Sequence, residues 1–476
     1  MTAQTITLSL ISHTNAGKTT LARTLLYKDI GEVADRAHVT DISEAYELTR
    51  TSKGEVLQLY DTPGFGDTPR LWKHLERANT PLLGFLSEVW DRFTDRPLWC
   101  SQQAMFNVRE HADVVLYLVN ASEEPETAGY VEKEMKILQW LDKPIMVLLN
   151  QMGSPKPSSV EEREVNRWRH HFRSISNDTR VIAFDAFARC WVQEDILWKE
   201  IVELLPANQR PLMESCIASL NERNEERFQK AMSHLGSVLG KIFCDRETLP
   251  SRGFFGKLRD TLSSKESAEE EAASRLKGRA EEMLRNALTE IIHVYELPGE
   301  AKEKISGEAG ISTEKTADKR TWATAAGILS GALSGLGADI ASGGMSLGGG
   351  MLLGAILGAG GGALLASGIN IIKGQYEDYV EWSSEKADHF VRGAMLYYLA
   401  IAHYGRGRGE WRETEQPMFW KDAVIRVTSQ LHKDIETTVN RARQTRDVNG
   451  HAIRTILSKA TRDTLLTLYP NASIER

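Results

Sequence analysis

The residues with the plainest chemical purpose stand near the start of the chain: Ser12-His13-Thr14-Asn15-Ala16-Gly17-Lys18-Thr19-Thr20. A loop of small and polar residues ending in Gly-Lys-Thr wraps a phosphate in backbone N–H groups. The lysine then reaches the β and γ oxygens, and the threonine hydroxyl holds Mg2+. Lys18 and Thr19 take those roles. Farther on, Asp61-Thr62-Pro63-Gly64 supplies a carboxylate suited to holding Mg2+ through water and a glycine N–H able to face a γ-phosphate. Ser12 departs from the usual first glycine, so its backbone must accept the geometry that glycine normally provides.

Such groups need a strand that delivers the loop and a helix that leaves it. Ile6 to Ile11 is an apolar run that reads as a buried strand, and Leu21 to Leu26 has helical spacing. After a polar stretch, Asp29 to Ser43, come two strand-like runs, Ala45 to Thr49 and Val56 to Tyr60, joined by a plausible hairpin at Arg50 to Glu55. An insertion over about 66–103 carries Trp72, Trp90 and Trp99, which read as packing residues. A helix from Ala104 to His111 leads to the apolar run Asp113 to Val119, typical of a parallel strand covered on both faces. A helix (Ala128 to Leu141), a strand (Pro144 to Leu149), a polar helical stretch and a strand (Arg180 to Phe184) follow. This alternation predicts a doubly wound, mostly parallel α/β domain over 1–205.

Asn15 to Thr19, together with Asp61 to Gly64 and the strand at Ala112 to Leu116, resembles the translation-factor-related P-loop GTPases, in particular the Era/TrmE/septin-like group. The resemblance covers about residues 1–205 and implies a Ras-like G domain that binds and hydrolyses GTP with Mg2+. It implies that Ser12 to Thr20 surround the nucleotide, that Lys18, Asp61 and Gly64 act at the γ-phosphate, and that Thr40 closes on Mg2+ as the switch I threonine. Thr49 and Thr51 are the other candidates for that last role. It further implies that Asn15 helps bind K+ in place of an arginine finger. Phe65 stands where related enzymes carry a water-orienting glutamine, so slow intrinsic hydrolysis is expected, accelerated by K+, self-association or a partner. The base-recognition motif departs from the family: Asn150-Gln151-Met152-Gly153 has no carboxylate at its last position. Asp185-Ala186-Phe187, after the sixth strand, offers a carboxylate that would reach the base instead. Loss of the usual bidentate contact would cost about 1–3 kcal/mol of base discrimination.

Beyond Pro206 to Pro211, which reads as a boundary, Leu212 to Cys244 and Ser264 to Leu297 have helical spacing within a helical region, 206–320. The segment 321–374 is an apolar Gly/Ala-rich hairpin. Within it, Trp322 to Ala338 and Met351 to Ile372 flank a Gly-rich middle, and Gly350, Gly354, Gly358 and Gly362 recur at four-residue spacing. Met351 to Ile372 is long enough to span a bilayer, with both ends cytoplasmic by the flanking basic residues; a Gly-packed hairpin in water is the alternative. The region 375–476 reads as helical from Tyr376 to His403 and from Lys421 to Tyr469, broken by Gly405-Arg406-Gly407-Arg408-Gly409, which reads as a solvated loop, with contact to phosphate or RNA as the alternative.

A chain of 476 residues exceeds one core, and a net charge of -7 argues against nonspecific nucleic-acid binding. Its four cysteines lack metal-ligand spacing and suit a reducing cytoplasm, and no signal peptide precedes the first strand. The expected protein is therefore a cytoplasmic GTP-dependent switch. Its helical half would engage a membrane, at the cytoplasmic face of the inner membrane, or a protein partner. The alternatives are an Era-like RNA-associated GTPase and a nucleotide-binding scaffold with little hydrolysis and relaxed base specificity.

Overall fold

The computed structural model describes residues 4–30, 44–76, 86, 95–153, 155–176, 179–188, 190–249, 262–298, 369–372, 378–405 and 416–472. The first apolar run forms strand β1 (Thr5–Ser12), and helix α1 (Lys18–Leu26) starts directly after the phosphate-type loop. Strands β2 (Glu44–Arg50) and β3 (Val56–Asp61) make the expected hairpin, antiparallel to each other. Helices α2 (Thr68–Glu76) and α3 (Arg96–His111) lead to β4 (Val114–Asn120). Then come α4 (Gly129–Gln139), β5 (Ile145–Asn150), α5 (Ser158–Arg173), β6 (Arg180–Ala183) and α6 (Trp191–Leu204).

The six strands form one sheet in the order β2-β3-β1-β4-β5-β6, parallel except for β2. The chain leaves β1 first to one side and later to the other, so a crevice opens at the carboxyl ends of the central strands. Alternate residues of the buried strands feed two cores. Ile6, Leu8 and Leu10 meet α1 and α6 on one face, while Tyr117, Val119 and Leu149 meet α2 to α5 on the other.

Helix α7 (Arg210–Cys244) begins with Pro211 in its first turn, where the missing N–H costs nothing. Its early residues Met213, Cys216, Ile217 and Leu220 close the core under the sheet. From Phe228 onward it belongs to a second core. That core is completed by α8 (Leu262–Val294), α9 (Ala387–Ala402), α10 (Met418–Gln430), α11 (His432–Thr445) and α12 (His451–Leu468). The expected single helical stretch after Lys421 is thus divided, at Leu431 and at Gly450, whose φ of 63° turns the chain.

Two expectations for this half need correction. Ile369–Ile372, the end of the anticipated apolar helix, is strand β8, and Tyr379–Trp382, inside the anticipated helix from Tyr376, is strand β9. With β7 (Arg246–Thr248) they form a three-stranded antiparallel sheet in the order β7-β9-β8. β-branched and aromatic side chains alternating with polar ones favour this pairing, but runs of four residues are too short to stand out in a helical background. The rest of 321–368 lies outside the described residues, as does 406–409. Among the described residues no helix is long and apolar enough to cross a membrane.

Candidate functional site

Loops after β1, β3, β5 and β6 meet at the carboxyl end of the sheet. Gly17 has φ 90°, and a Cβ there would lie 2.6 Å from Asn150 Nδ2, so both the left-handed backbone and the close approach of β5 require glycine. The turn points the N–H groups at the start of α1 into the crevice. Asn15 is also left-handed, and Gln151 Nε2 donates to its carbonyl at 3.2 Å.

Lys18 and Asp61 dominate the electrostatics. Lys18 Nζ is buried and donates to Ser12 Oγ at 3.0 Å, so the residue that replaced glycine orients the lysine. Burial pushes the Lys18 ammonium below its usual range, with the charges of Asp61 and Glu134 opposing. Asp61 Oδ2 accepts from Thr19 Oγ1 at 2.6 Å, whereas Asp61 Oδ1 is buried with no hydrogen-bond partner among the described residues. Burial raises this carboxyl to about 6, while the Thr19 hydrogen bond and the Lys18 charge pull it back. An orphaned buried carboxylate oxygen is costly, and a hard divalent cation between Thr19 and Asp61 would relieve it. The donor set fits Mg2+.

Gly64 is held as closely. A Cβ on it would lie 2.9 Å from Lys18 Nζ and 3.2 Å from Thr14 Cα. Next to it, Phe65 runs alongside the first loop. Its N–H donates to Ser12 O at 2.9 Å, and its carbonyl accepts from Thr14 N–H at 3.2 Å and Thr14 Oγ1 at 2.7 Å. The Phe65 ring is fully buried, a packing group rather than one that could orient water.

On the base side, Asn150 is a brace. Its Nδ2 donates to Ala16 O at 2.8 Å, and its Oδ1 accepts from Ala186 N–H at 2.8 Å. Asp185 plays a similar part, accepting Met152 N–H at 2.7 Å on one oxygen and Phe187 N–H at 2.8 Å on the other. The carboxylate expected to reach the base is thus engaged in holding two loops together. Gly153 has φ 85° with open space around it. Thr20 is buried in the first turn of α1. Thr40 lies outside the described residues.

Sequence reasoning missed the surroundings of His13. Its Nδ1 lies 2.7 Å from Glu134 Oε1, and its ring stacks on Tyr130 with centroids 4.3 Å apart. The missed signal was Glu134 itself, an acid inside the apolar stripe of Val131, Met135 and Leu138 on α4.

A family model described as "Domain of unknown function (DUF3482)" matches residues 179–467, more than half of the chain. The chain belongs to the DUF3482 family. A second family model, described as "50S ribosome-binding GTPase", matches residues 7–151 of this DUF3482 protein, which therefore carries a P-loop GTPase domain ahead of its helical half. Among solved structures, an Era variant from Aquifex aeolicus bound to GDP.AlF4- is 18% identical with a TM-score of 0.31, covering 43% of this chain and 57% of its own. Era in complex with MgGDPNP and part of 16S ribosomal RNA is 17% identical with a TM-score of 0.32, covering 48% of this chain and 67% of its own. Toc33 from Arabidopsis thaliana in complex with GDP and Mg2+ is 12% identical with a TM-score of 0.27, covering 39% and 73%. The match thus spans little more than half of the Aquifex protein. No curated protein sequence is similar enough to count as a match.

Proposed function

We propose that this DUF3482 protein is a guanine-nucleotide switch that hydrolyses GTP and passes its nucleotide state to the helical half. The observation that carries this reading is that elements of the nucleotide site are built into the second core. Tyr27, which caps α1, is buried there; its hydroxyl donates to Glu194 at 2.8 Å, and the Arg227 guanidinium lies 4.0 Å from its ring centre. Behind the base side, Gly405 N–H donates to Phe187 O at 3.3 Å, and a Cβ on Gly405 would come within 1.9 Å of Ala186 O. Helix α7 joins the two cores without a break.

In this reading Lys18 and the N–H groups of 17–19 bind the β and γ phosphates and hold them in line. Thr19 and Asp61 would hold Mg2+, which would neutralise charge on the phosphate oxygens. Gly64 N–H orders its loop on the γ-phosphate, and Thr40 closes on the metal side. With Phe65 unable to orient water, turnover is slow and is raised by K+ at Asn15 or by self-association. In this reading the helical half and the apolar segment 322–372 engage a membrane or a protein partner, and the chain works in the cytoplasm or at the cytoplasmic face of the inner membrane.

The test is hydrogen exchange of α7 and α9 with GDP and with a non-hydrolysable GTP analogue, alongside phosphate release in K+ and Na+. The reading expects different protection in the two states and K+-dependent release that Asn15→Ala abolishes. Identical protection would remove the switch, and absent phosphate release would leave a nucleotide-binding scaffold. That second reading has one observation in its favour: with Asp185 engaged and Gly153 bare, the base is weakly specified.

A further inference from the structure

One buried carboxylate ties together three elements around the phosphate end of the site. Glu134 is fully buried on α4. Its Oε1 accepts from Thr68 Oγ1 at 2.5 Å and lies 2.7 Å from His13 Nδ1; its Oε2 accepts from Tyr117 Oη at 2.8 Å. His13 belongs to the phosphate loop, Thr68 opens α2 just after Asp61 to Phe65, and Tyr117 lies in β4. The backbone repeats the connection, since His13 and Phe65 form a parallel bridge. Burial, with the Glu134 charge adding to it, keeps the Tyr117 phenol well above its usual range, so Tyr117 is a fixed donor. A buried carboxylate with donors from three separate elements is rigid, because each lost partner leaves an unsatisfied charge.

We propose that Glu134 is a positioning residue for GTP hydrolysis, clamping His13 and Thr68 together so that Gly64 is held in register with Lys18 before the γ-phosphate arrives. The clamp rests on the GTPase reading above. It acts on the γ-phosphate side of the site and leaves the α and β phosphates alone. Its loss therefore lowers kcat and the affinity for a GTP analogue, while GDP affinity is unchanged.

Thr68→Val removes the hydroxyl at nearly constant volume and Thr68→Ser restores it; Glu134→Gln keeps the shape without the charge. The clamp predicts that Thr68→Val and Glu134→Gln lower kcat about tenfold, the effect of one hydrogen bond to a buried charge. KM for GTP should rise with the loss of analogue affinity, whereas GDP affinity should stay within about twofold, with Thr68→Ser close to wild type. The affinity for a non-hydrolysable GTP analogue should fall in parallel, a readout that needs no turnover. The clamp is overturned if Thr68→Val and Thr68→Ser behave alike, or if GDP and analogue affinities fall together, which marks a merely structural contact. The GTPase reading fails separately: wild type would then release no phosphate, and Lys18→Ala would match it, whereas the analogue-to-GDP affinity ratio of the Thr68 variants would still decide for or against the clamp.

Discussion

Buried polar groups are treated differently in the phosphate site and in two hydrogen-bond networks of the helical half, around His403 and around Tyr398. In the phosphate site, the buried Lys18 Nζ donates to the Ser12 hydroxyl, and Asp61 keeps one oxygen without a partner among the described residues. In the helical half, His403 Nδ1 donates to Leu399 O at 2.7 Å and its Nε2 accepts from Tyr469 Oη at 2.5 Å. Trp191 Nε1 donates to Tyr398 Oη at 3.1 Å, and Tyr398 in turn bonds Tyr295 at 2.9 Å. The difference separates two purposes. Polar groups that complete one another stabilise a fold, while charges left incomplete in a crevice are reserved for a ligand that completes them.

That contrast can be broken from either side. The largest effect is expected at Phe228, which is fully buried, meets Tyr398 edge-on at 5.6 Å and lies under the Arg462 guanidinium at 4.5 Å. Phe228→Ala should cost about 3–5 kcal/mol of unfolding free energy in denaturant titrations. A cost below about 1 kcal/mol would mean that the second core is not where the helical half gains its stability.

Lys18→Ala comes next, in function instead of stability. It should reduce GTP turnover by about 10^2 to 10^3-fold, the usual effect of removing a donor from developing phosphoryl charge. Its thermal midpoint should stay equal to or above that of wild type without nucleotide, because a desolvated charge has gone. A marked fall in that midpoint would show that Lys18 is structural.

His403 gives the pH dependence. Burial lowers its pKa from 6.5 to about 4, with the bond to Leu399 opposing. The unfolded chain therefore takes up a proton that the folded chain refuses. The stability from this group is present above pH 6.5 and is lost as pH falls through about 4, approaching about 3 kcal/mol at full protonation. Unfolding curves of wild type and His403→Gln compared across this range should converge on acidification; parallel curves would show that the ring is protonated in the fold.

The smallest effect is at the base. GTP, ATP and XTP should bind within about tenfold of one another, because the contact that normally discriminates them is missing. A preference for GTP beyond about a hundredfold would reveal a base reader other than Asp185.

Much of the GTPase half was legible because its signals are local. The apolar runs, the loop glycine and the Asp61 to Gly64 string each fix a strand, a turn or a ligand within a few residues, and the parallel sheet follows from their alternation. The roles of Asp185, Asn150 and Glu134 were not legible. A carboxylate on a loop looks the same in sequence whether it faces a base or braces a neighbour, and only the 2.7 Å and 2.8 Å bonds to Met152 and Phe187 distinguish the two. The strands β8 and β9 were missed for a related reason, since the evidence for a four-residue strand lies in its partner, distant in sequence.

By itself, then, the sequence determined the phosphate loop, the order of the six strands through Ala183, and the two long helices that follow. The tertiary structure decided that Ser12 orients Lys18, that His13 and Thr68 share one buried carboxylate, and that α7 runs unbroken from one core into the other. The physical reason is range. Backbone geometry and hydrophobic period act between near neighbours, but the satisfaction of a buried charge depends on atoms that only the folded chain brings together.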